Sequence, residues 1–294
     1  MSRSWKIIDW RRHLFEYRTN VQARIALNTT AVNMTGDARS AASVRRLPEG
    51  MAGLAKGLAI IEAFSPHRTR MTVTDAAQSS GTSRASARRC LLTLMELGYL
   101  EFDGKYFRPL PRLLALSAAY SGTRSLPEIA QPFLKAARDE LRESISLAVL
   151  DRDAALFVAR SEAERLVTTG ISVGTRIDLY CSATGRILLS AWNDRLLGAY
   201  LDRARIEART KYSLIKKAAI REAIRNAGVV GYATTDQELE IGLRSIAVPV
   251  LDSRGTIVAA MSASASSARV SIQQMVKGFV PVLRANAESL GRVL

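Results

Sequence analysis

The sequence predicts an α+β chain of two unlike parts joined by a short helix, behind a basic N-terminal extension. Three observations carry that prediction. Helical patterns from Met51 to Leu97 are punctuated by a tight turn and followed at once by an alternating run about Asp103-Gly104, a strong hairpin signal. From Leu126 onward, strand-like runs with tight turns are flanked by helical patterns at both ends, which suggests one curved antiparallel sheet with helices packed on it. Residues 1–50 sustain neither period.

The extension, 1–50, holds nine basic and four acidic residues and reads as a disordered basic arm, or as leader sequence ahead of a later start. Met51 stands directly before the first convincing helix. In "GLAKGLAIIEAFS", Leu54, Leu58 and Ile61 recur at helical spacing with Ala55, Ala59 and Ala63, and Pro66 ends the run. Thr72 is placed to cap a second helix, with Asp75 three positions on as in a capping box, and Gly81 supplies the turn after it. Ser83 caps a third helix that runs to about Leu97, where Gly98 stops it. The hairpin "YLEFDGKYFRP" completes a winged helix-turn-helix over 51–108. "PRLLALSAAYSG" keeps Leu113, Leu114, Leu116 and Ala119 in a linker helix within 109–125.

The remainder, 126–294, opens with a helix at "LPEIAQPFLKAARDELRESI", Pro127 suiting a first turn. "SLAVLDRDAALFVAR" and "LVTTGISVG" read as short strands, "CSATGRILLSAW" and "KKAAIREAIRNAG" as helices. "SIAVPVLDSRGTIVAAMSASA" reads as a long hairpin about Ser253-Arg254-Gly255, and a closing helix starts near Ser271.

Composition narrows the function. A chain of 294 residues with 48% hydrophobic content makes about two domains with real cores. The formal charge of +15 and a pI near 10.4 point to a polyanionic partner, most often nucleic acid. Cys90 and Cys181 sit in separate elements, which is neither a disulfide framework nor a zinc spacing and suits a reducing cytoplasm. No apolar run approaches the roughly 18 residues that span a bilayer, and the charged start is no signal peptide.

The third helix carries Arg84, Arg88 and Arg89 with no acidic residue between Thr82 and Met95. Ala87, Leu91 and Leu94 form its apolar stripe, so Ser83, Arg84, Ser86 and Arg88 lie mainly away from it, at the end that meets base edges in a major groove, with Arg89 close by. A solvated basic face is the plainer reading of such a helix. It usually mixes signs, however, and arginines near a helix start oppose its dipole unless an anion is present. Double-stranded DNA is the expected partner. Arg68 and Arg70 before the second helix, with Lys105 and Arg108 on the wing, are the expected phosphate contacts.

In the C-terminal part, "GTRIDLYCSATGR" leads a loop of small and hydroxyl residues into a helix N-terminus around Ser182–Thr184, where backbone N–H groups suit a carboxylate. Arg176 adds a cation there and Tyr180 an aromatic wall. Each has a plainer reading: Tyr180 as core, Cys181 as a small buried hydrophobe, Ser182 as a cap. Asp236 and Glu238, i and i+2 on an extended segment, share a face and leave a carboxylate-based enzyme as a remote alternative; otherwise they cap turns or pair with Arg244 or Arg176. Both histidines, His13 and His67, lie outside this domain, so a histidine triad or metal site is not available to it, and no cofactor or metal is expected.

The stretches "GLAKGLAIIEAF", "GTSRASARRCLLTLMELGYL", "SATGRILLSA" and "GYATTDQELEIGLRSIAVPV" resemble the IclR family of bacterial transcription regulators from about Gly53 to Leu294. "PEIAQPFL", "VGTRIDLYCSATGR" and "DQELEIGLRS" look closest to the branch that regulates aromatic-acid catabolism through protocatechuate and β-ketoadipate. The resemblance implies a GAF-like effector domain, homodimers or homotetramers on inverted half-sites, and a carboxylate effector such as protocatechuate, 4-hydroxybenzoate or β-ketoadipate. It also implies a cytoplasmic, nucleoid-associated protein, with RNA polymerase a possible partner. By its motif positions, Arg176, Tyr180, Cys181, Ser182, Ala183, Asp236, Glu238 and Ser245 line the effector pocket. The competing reading is a C-terminal domain that only oligomerises.

Overall fold

A computed structural model of the chain describes residues 51–65, 68–118, 125–163 and 170–294. The extension 1–50, Pro66, His67 and residues 119–124 of the expected linker lie outside the described residues.

The N-terminal unit packs α1 (Ala52–Glu62), α2 (Val73–Ser79) and α3 (Arg84–Glu96) with a hairpin of β1 (Leu100–Phe102) and β2 (Phe107–Pro109). Local chemistry sets its corners. Thr72 Oγ1 accepts from the Asp75 N–H at 3.2 Å and Asp75 returns a carboxylate oxygen to the Thr72 N–H at 2.9 Å, a complete capping box. Gly81, at φ +63°, makes the turn that a side chain would strain. In the hairpin, Asp103 Oδ1 accepts from the Lys105 and Tyr106 N–H groups at 3.0 and 2.7 Å, and Gly104 takes φ +97°. Ala87, Leu91 and Leu94 of α3 are buried against Ile60, Ala76 and Phe107; full burial of residues such as Leu91 and Ile60 stabilises by about 1.5–3 kcal/mol each.

On α1 the outcome differs from the sequence pattern. Leu54 and Leu58 are 61% and 46% exposed, and the buried residue is Ile60. At 100° per residue Ile60 stands about 120° round the helix from Leu54, and a three-helix unit buries only one of the two faces. The linker starts as a single 3-10 turn, Pro111–Leu113, and continues as α4 (Leu114–Ala118).

The C-terminal unit is built on a six-stranded antiparallel sheet ordered β5-β4-β3-β8-β7-β6. Its strands are β3 (Ser144–Asp151), β4 (Ala154–Ser161), β5 (Arg176–Asp178), β6 (Ala233–Asp236), β7 (Leu243–Leu251) and β8 (Ile257–Ser266). Against one face pack α5 (Leu126–Leu141) and the terminal helix, here α10 (Val280–Val293), through Leu134, Ala137, Leu283 and Leu290 on Leu147, Val248 and Met261. Against the other pack α6 (Ala183–Ser190), α7 (Asp194–Arg203) and α8 (Lys217–Val230), through Ile187, Leu197 and Ile224 on Ala148, Ala247 and Ala260. A short α9 (Ile272–Gln274), capped by Ser271, and a π turn at Met275–Phe279 lead into α10. The described part of "LVTTGISVG", 170–174, is not strand; the edge strand is the next stretch, Arg176–Asp178. Gly174, at φ +89°, turns the chain just before it.

Candidate functional site

On the N-terminal unit, Arg84, Arg88 and Arg89 are exposed and form no ion pair among the described residues. Ser83 caps α3, its Oγ accepting from the Ser86 N–H at 3.3 Å. Ser86 turns the other way. It is only 8% exposed, and its hydroxyl accepts from Ser83 Oγ at 3.1 Å and from Lys56 Nζ at 3.3 Å. The turn of α3 that exposes Arg84 and Arg88 points Ser86 at α1, away from the face that those arginines present. Lys56, missed in the sequence, stands beside the start of α3; its mark was being the single cation in "AGLAKGLAIIE".

The expected phosphate contacts fall into two groups. Arg68 donates to Ser79 Oγ at the end of α2. Arg70 and Lys105 lie over the Tyr106 ring, 4.4 and 5.1 Å from its centroid, so an aromatic face holds two cations on the wing. Arg108 instead pairs with Asp103 at 3.1 Å and Glu101 at 4.0 Å. Its charge is spent within the hairpin, because the cross-strand register sets Arg108 opposite Glu101.

In the C-terminal unit a cavity opens between α6 and the sheet. Phe157, Ile171, Ile177, Leu239 and Leu243 form its apolar wall, and Cys181 and Ala183 a small-residue edge. Ser182, Thr184, Thr235, Ser245, Ser262 and Ser264 add hydroxyls. Among the described residues no charged side chain lines it. The cavity, counted to its open mouth, holds about 390 Å³ of empty space. Ser245 and Ser264 face each other across β7 and β8, their hydroxyls 3.0 Å apart. Thr235 and Ser262 are 5% and 4% exposed, and their hydroxyls have no hydrogen-bond partner among the described residues. Of these wall residues outside the helix start, Ser245 was expected, and Thr235, Ser262 and Ser264 were missed. The alternation "MSASAS" was the available signal, since serines at every second position of a central strand put hydroxyls on one buried face.

The start of α6 explains the hydroxyl loop. Ser182 Oγ accepts from the Gly185 N–H at 3.1 Å and donates to the Asp178 carbonyl at 3.2 Å, so that hydroxyl is consumed as a cap. The Ala183 and Thr184 N–H groups precede the first intrahelical bond and remain for an acceptor. Gly185 is required here: a Cβ on it would lie 2.2 Å from the Leu179 carbonyl oxygen. Burial, then the nearby Asp178 charge, pushes the Cys181 thiol up to about 11, so it stays neutral.

Of the residues expected in this pocket, Cys181, Ser182, Ala183 and Ser245 line the cavity. Four do not. Arg176 precedes Ile177 on β5 and points to the opposite face, where it pairs with Asp151 and donates to the Asp151 carbonyl at 3.2 Å. Tyr180 is buried in the core, its hydroxyl donating to the Glu207 carbonyl at 3.2 Å and accepting from the Glu207 N–H at 3.1 Å. Asp236 and Glu238 share no face, because Gln237 between them is left-handed at φ +58° and breaks the extended run. Asp236 pairs with Arg244 at 2.7 Å, which holds its carboxyl below the usual range. Glu238, buried, takes a bidentate pair from Arg186 at 2.9 and 2.5 Å. With each carboxylate answered by its own arginine, the pair offers no acid–base couple facing one cavity.

A winged helix-turn-helix followed by a sheet domain with an internal hydroxyl-lined cavity defines a two-domain DNA-binding protein. Residues 53–104 match the IclR helix-turn-helix domain, and 118–292 the C-terminal domain of bacterial transcriptional regulators of the IclR type. The chain belongs to the IclR family of transcriptional regulators. It is 40% identical to the Pca regulon regulatory protein of Pseudomonas putida over 244 residues, 83% of this chain and 84% of that one. It is 34% identical over 250 residues to the p-hydroxybenzoate hydroxylase transcriptional activator of Acinetobacter baylyi, covering 83% and 92%. Its fold is similar to an IclR homologue from Microbacterium hydrocarbonoxydans solved with 4-hydroxybenzoate, at TM-score 0.68 and 25% identity over 82% of this chain and 98% of that one.

Proposed function

We propose that this chain is a cytoplasmic one-component regulator of genes for aromatic-acid catabolism, in which exposed arginines of α3 read an operator and the C-terminal cavity takes a small organic acid. The observation that carries the effector half is the cavity itself: apolar and hydroxyl walls, two hydroxyls without a hydrogen-bond partner among the described residues, and the first turn of α6 turned toward it. A carboxylate fits that turn, where N–H groups and the helix dipole favour negative charge. The relatives named for Pca and p-hydroxybenzoate regulation, and the homologue with 4-hydroxybenzoate, support the same class of ligand.

Leu239 and Leu243 of the wall stand on the loop that follows β6 and at the start of β7. A ligand in the cavity shifts DNA binding only as far as it prefers one arrangement of the protein. A homodimer or homotetramer matches operators of two-fold symmetry.

Thermal unfolding of the full chain against a panel of aromatic and aliphatic acids tests this. One acid should stabilise selectively, by about 2.7 kcal/mol at a hundredfold excess over its dissociation constant. Uniform silence across the panel would leave the C-terminal domain as an oligomerisation scaffold and sink the effector reading.

A further inference from the structure

A second cavity opens between α6, α8 and the edge strand β6, lined by Arg186, Ala223, Asn226, Tyr232, Ala233 and Thr234. Counted to its open mouth it holds about 380 Å³ of empty space, and it shares no lining residue with the cavity at the start of α6. Its charged wall is Arg186, whose side chain is only 4% exposed. Glu238 takes the tip of that guanidinium, accepting from Nη1 at 2.9 Å and from Nη2 at 2.5 Å, and the Thr234 carbonyl accepts from Nη1 at 2.9 Å. The side edge is left over. There Nε is buried with no hydrogen-bond partner among the described residues, and the second N–H of Nη2 runs parallel to it. An unmet buried donor is costly, and two parallel N–H groups are the fork on which arginine takes a planar oxyanion.

The surroundings add further donors. β6 is an edge of the sheet, with β7 its single neighbour. In an antiparallel strand the N–H and C=O of one residue point the same way. Since the Thr234 carbonyl turns out to Arg186, the Thr234 N–H turns to the same open edge. The side chains of Asn226, Tyr232 and Thr234 have no hydrogen-bond partner among the described residues. Arg284 of α10 reaches the turn just before Tyr232, donating to the Val230 carbonyl at 3.3 Å, and forms no ion pair among the described residues. No acidic side chain among the described residues lines the cavity. Glu238 already answers the charge of Arg186, so the site favours an anion of one charge, which Arg284 can meet, over an anion of two.

We propose that this cavity is a second ligand site, for a small planar monoanion of the nitrate, formate or bicarbonate kind. The side edge of Arg186 holds the anion, with Asn226 and the Thr234 N–H beside it and Arg284 near the mouth. The anion completes the hydrogen bonding of a guanidinium that ties α6 to β6 and to the Glu238 loop, so its binding stabilises that junction. Nothing in this assignment depends on what the first cavity binds.

Arginine side-chain 1H–15N spectra of the full chain, titrated with nitrate, formate or sulfate while chloride holds the ionic strength constant, test the site. Arg186→Lys, which keeps a cation facing Glu238, identifies the Arg186 Nε–H signal by its loss. That signal should move saturably with nitrate and formate, and at higher concentration or not at all with sulfate. Asn226→Asp, an isosteric change at an exposed position, should raise the midpoint about tenfold or more by setting a like charge beside the anion. Arg284→Gln should raise it about threefold, the worth of an exposed charge. Thermal unfolding gives a second reading that needs no assigned signal: formate in place of equal chloride should raise the midpoint of the wild-type chain and not that of Asn226→Asp. An Nε–H signal indifferent to every anion, midpoints unchanged in both surface variants, or sulfate binding more tightly than nitrate would each overturn the proposal. Equal formate stabilisation of the wild-type chain and Asn226→Asp would do the same, by placing the anion elsewhere.

Discussion

Replacing Glu238 by alanine removes the carboxylate that answers Arg186 across 52 positions of chain. The two side chains are 9% and 4% exposed, and Arg186 Nε already has no hydrogen-bond partner among the described residues. What remains to the guanidinium is the Thr234 carbonyl at 2.9 Å. A pocket lined by Arg186, Asn226, Tyr232 and Thr234 brings water to one side of the guanidinium, but Arg186 is 4% exposed, so the cost stays near the lower end of that for an uncompensated buried ion, about 3–5 kcal/mol. That is a large share of the roughly 5–15 kcal/mol that holds a domain folded. Urea denaturation of the wild-type chain, Glu238→Ala and the double variant Arg186→Met/Glu238→Leu reads it directly. The double variant should recover most of the loss, because exchanging both ions for apolar groups removes the desolvation penalty along with the attraction. Ligand affinity should fall in Glu238→Ala as well, since Leu239 and Thr235 beside it line the cavity. A cost below about 1 kcal/mol, the worth of an exposed pair, would show that the pair is wet and the reasoning mistaken.

Four further outcomes are expected. Arg84→Ala or Arg89→Ala should each cost about 1–3 kcal/mol of operator affinity by fluorescence anisotropy, whereas Arg68→Ala or Arg70→Ala should weaken binding to any duplex and flatten the salt slope by about 0.9 apiece; four identical responses would erase the division between reading and holding. Arg176→Ala should leave effector affinity within about twofold, because its side chain faces away from the cavity, and a tenfold loss would mean that it swings in. Cys181, with its thiol near 11, should resist iodoacetamide at pH 8 while the half-buried Cys90 reacts, and its labelling should rise only as pH climbs toward that value; equal rates at pH 8 would contradict its burial. Gly185→Ala forces a Cβ to 2.2 Å from the Leu179 carbonyl oxygen and should cost about 1–3 kcal/mol by denaturation. An unchanged midpoint there would show that α6 does not press on that turn.

The parts legible in the sequence are those whose causes are local. The Thr72–Asp75 box, the Asp103-Gly104 hairpin, the Ser83 cap and the Ala87-Leu91-Leu94 stripe each lie within a few residues, and backbone geometry turns such spacings into corners and faces directly. The arginines of α3 and the hydroxyl-rich start of α6 were visible for the same reason. Which way a side chain faces in the assembled sheet was not. Arg176 turns outward by one step of strand parity, and Asp236 and Glu238 part company at one left-handed Gln237. The Arg186–Glu238 pair joins a helix to a loop far along the chain, and no spacing announces it. A strand alternates with period two, so a one-residue shift inverts every facing that follows; that shift belongs to the pairing of strands distant in sequence, and the tertiary structure alone decides it.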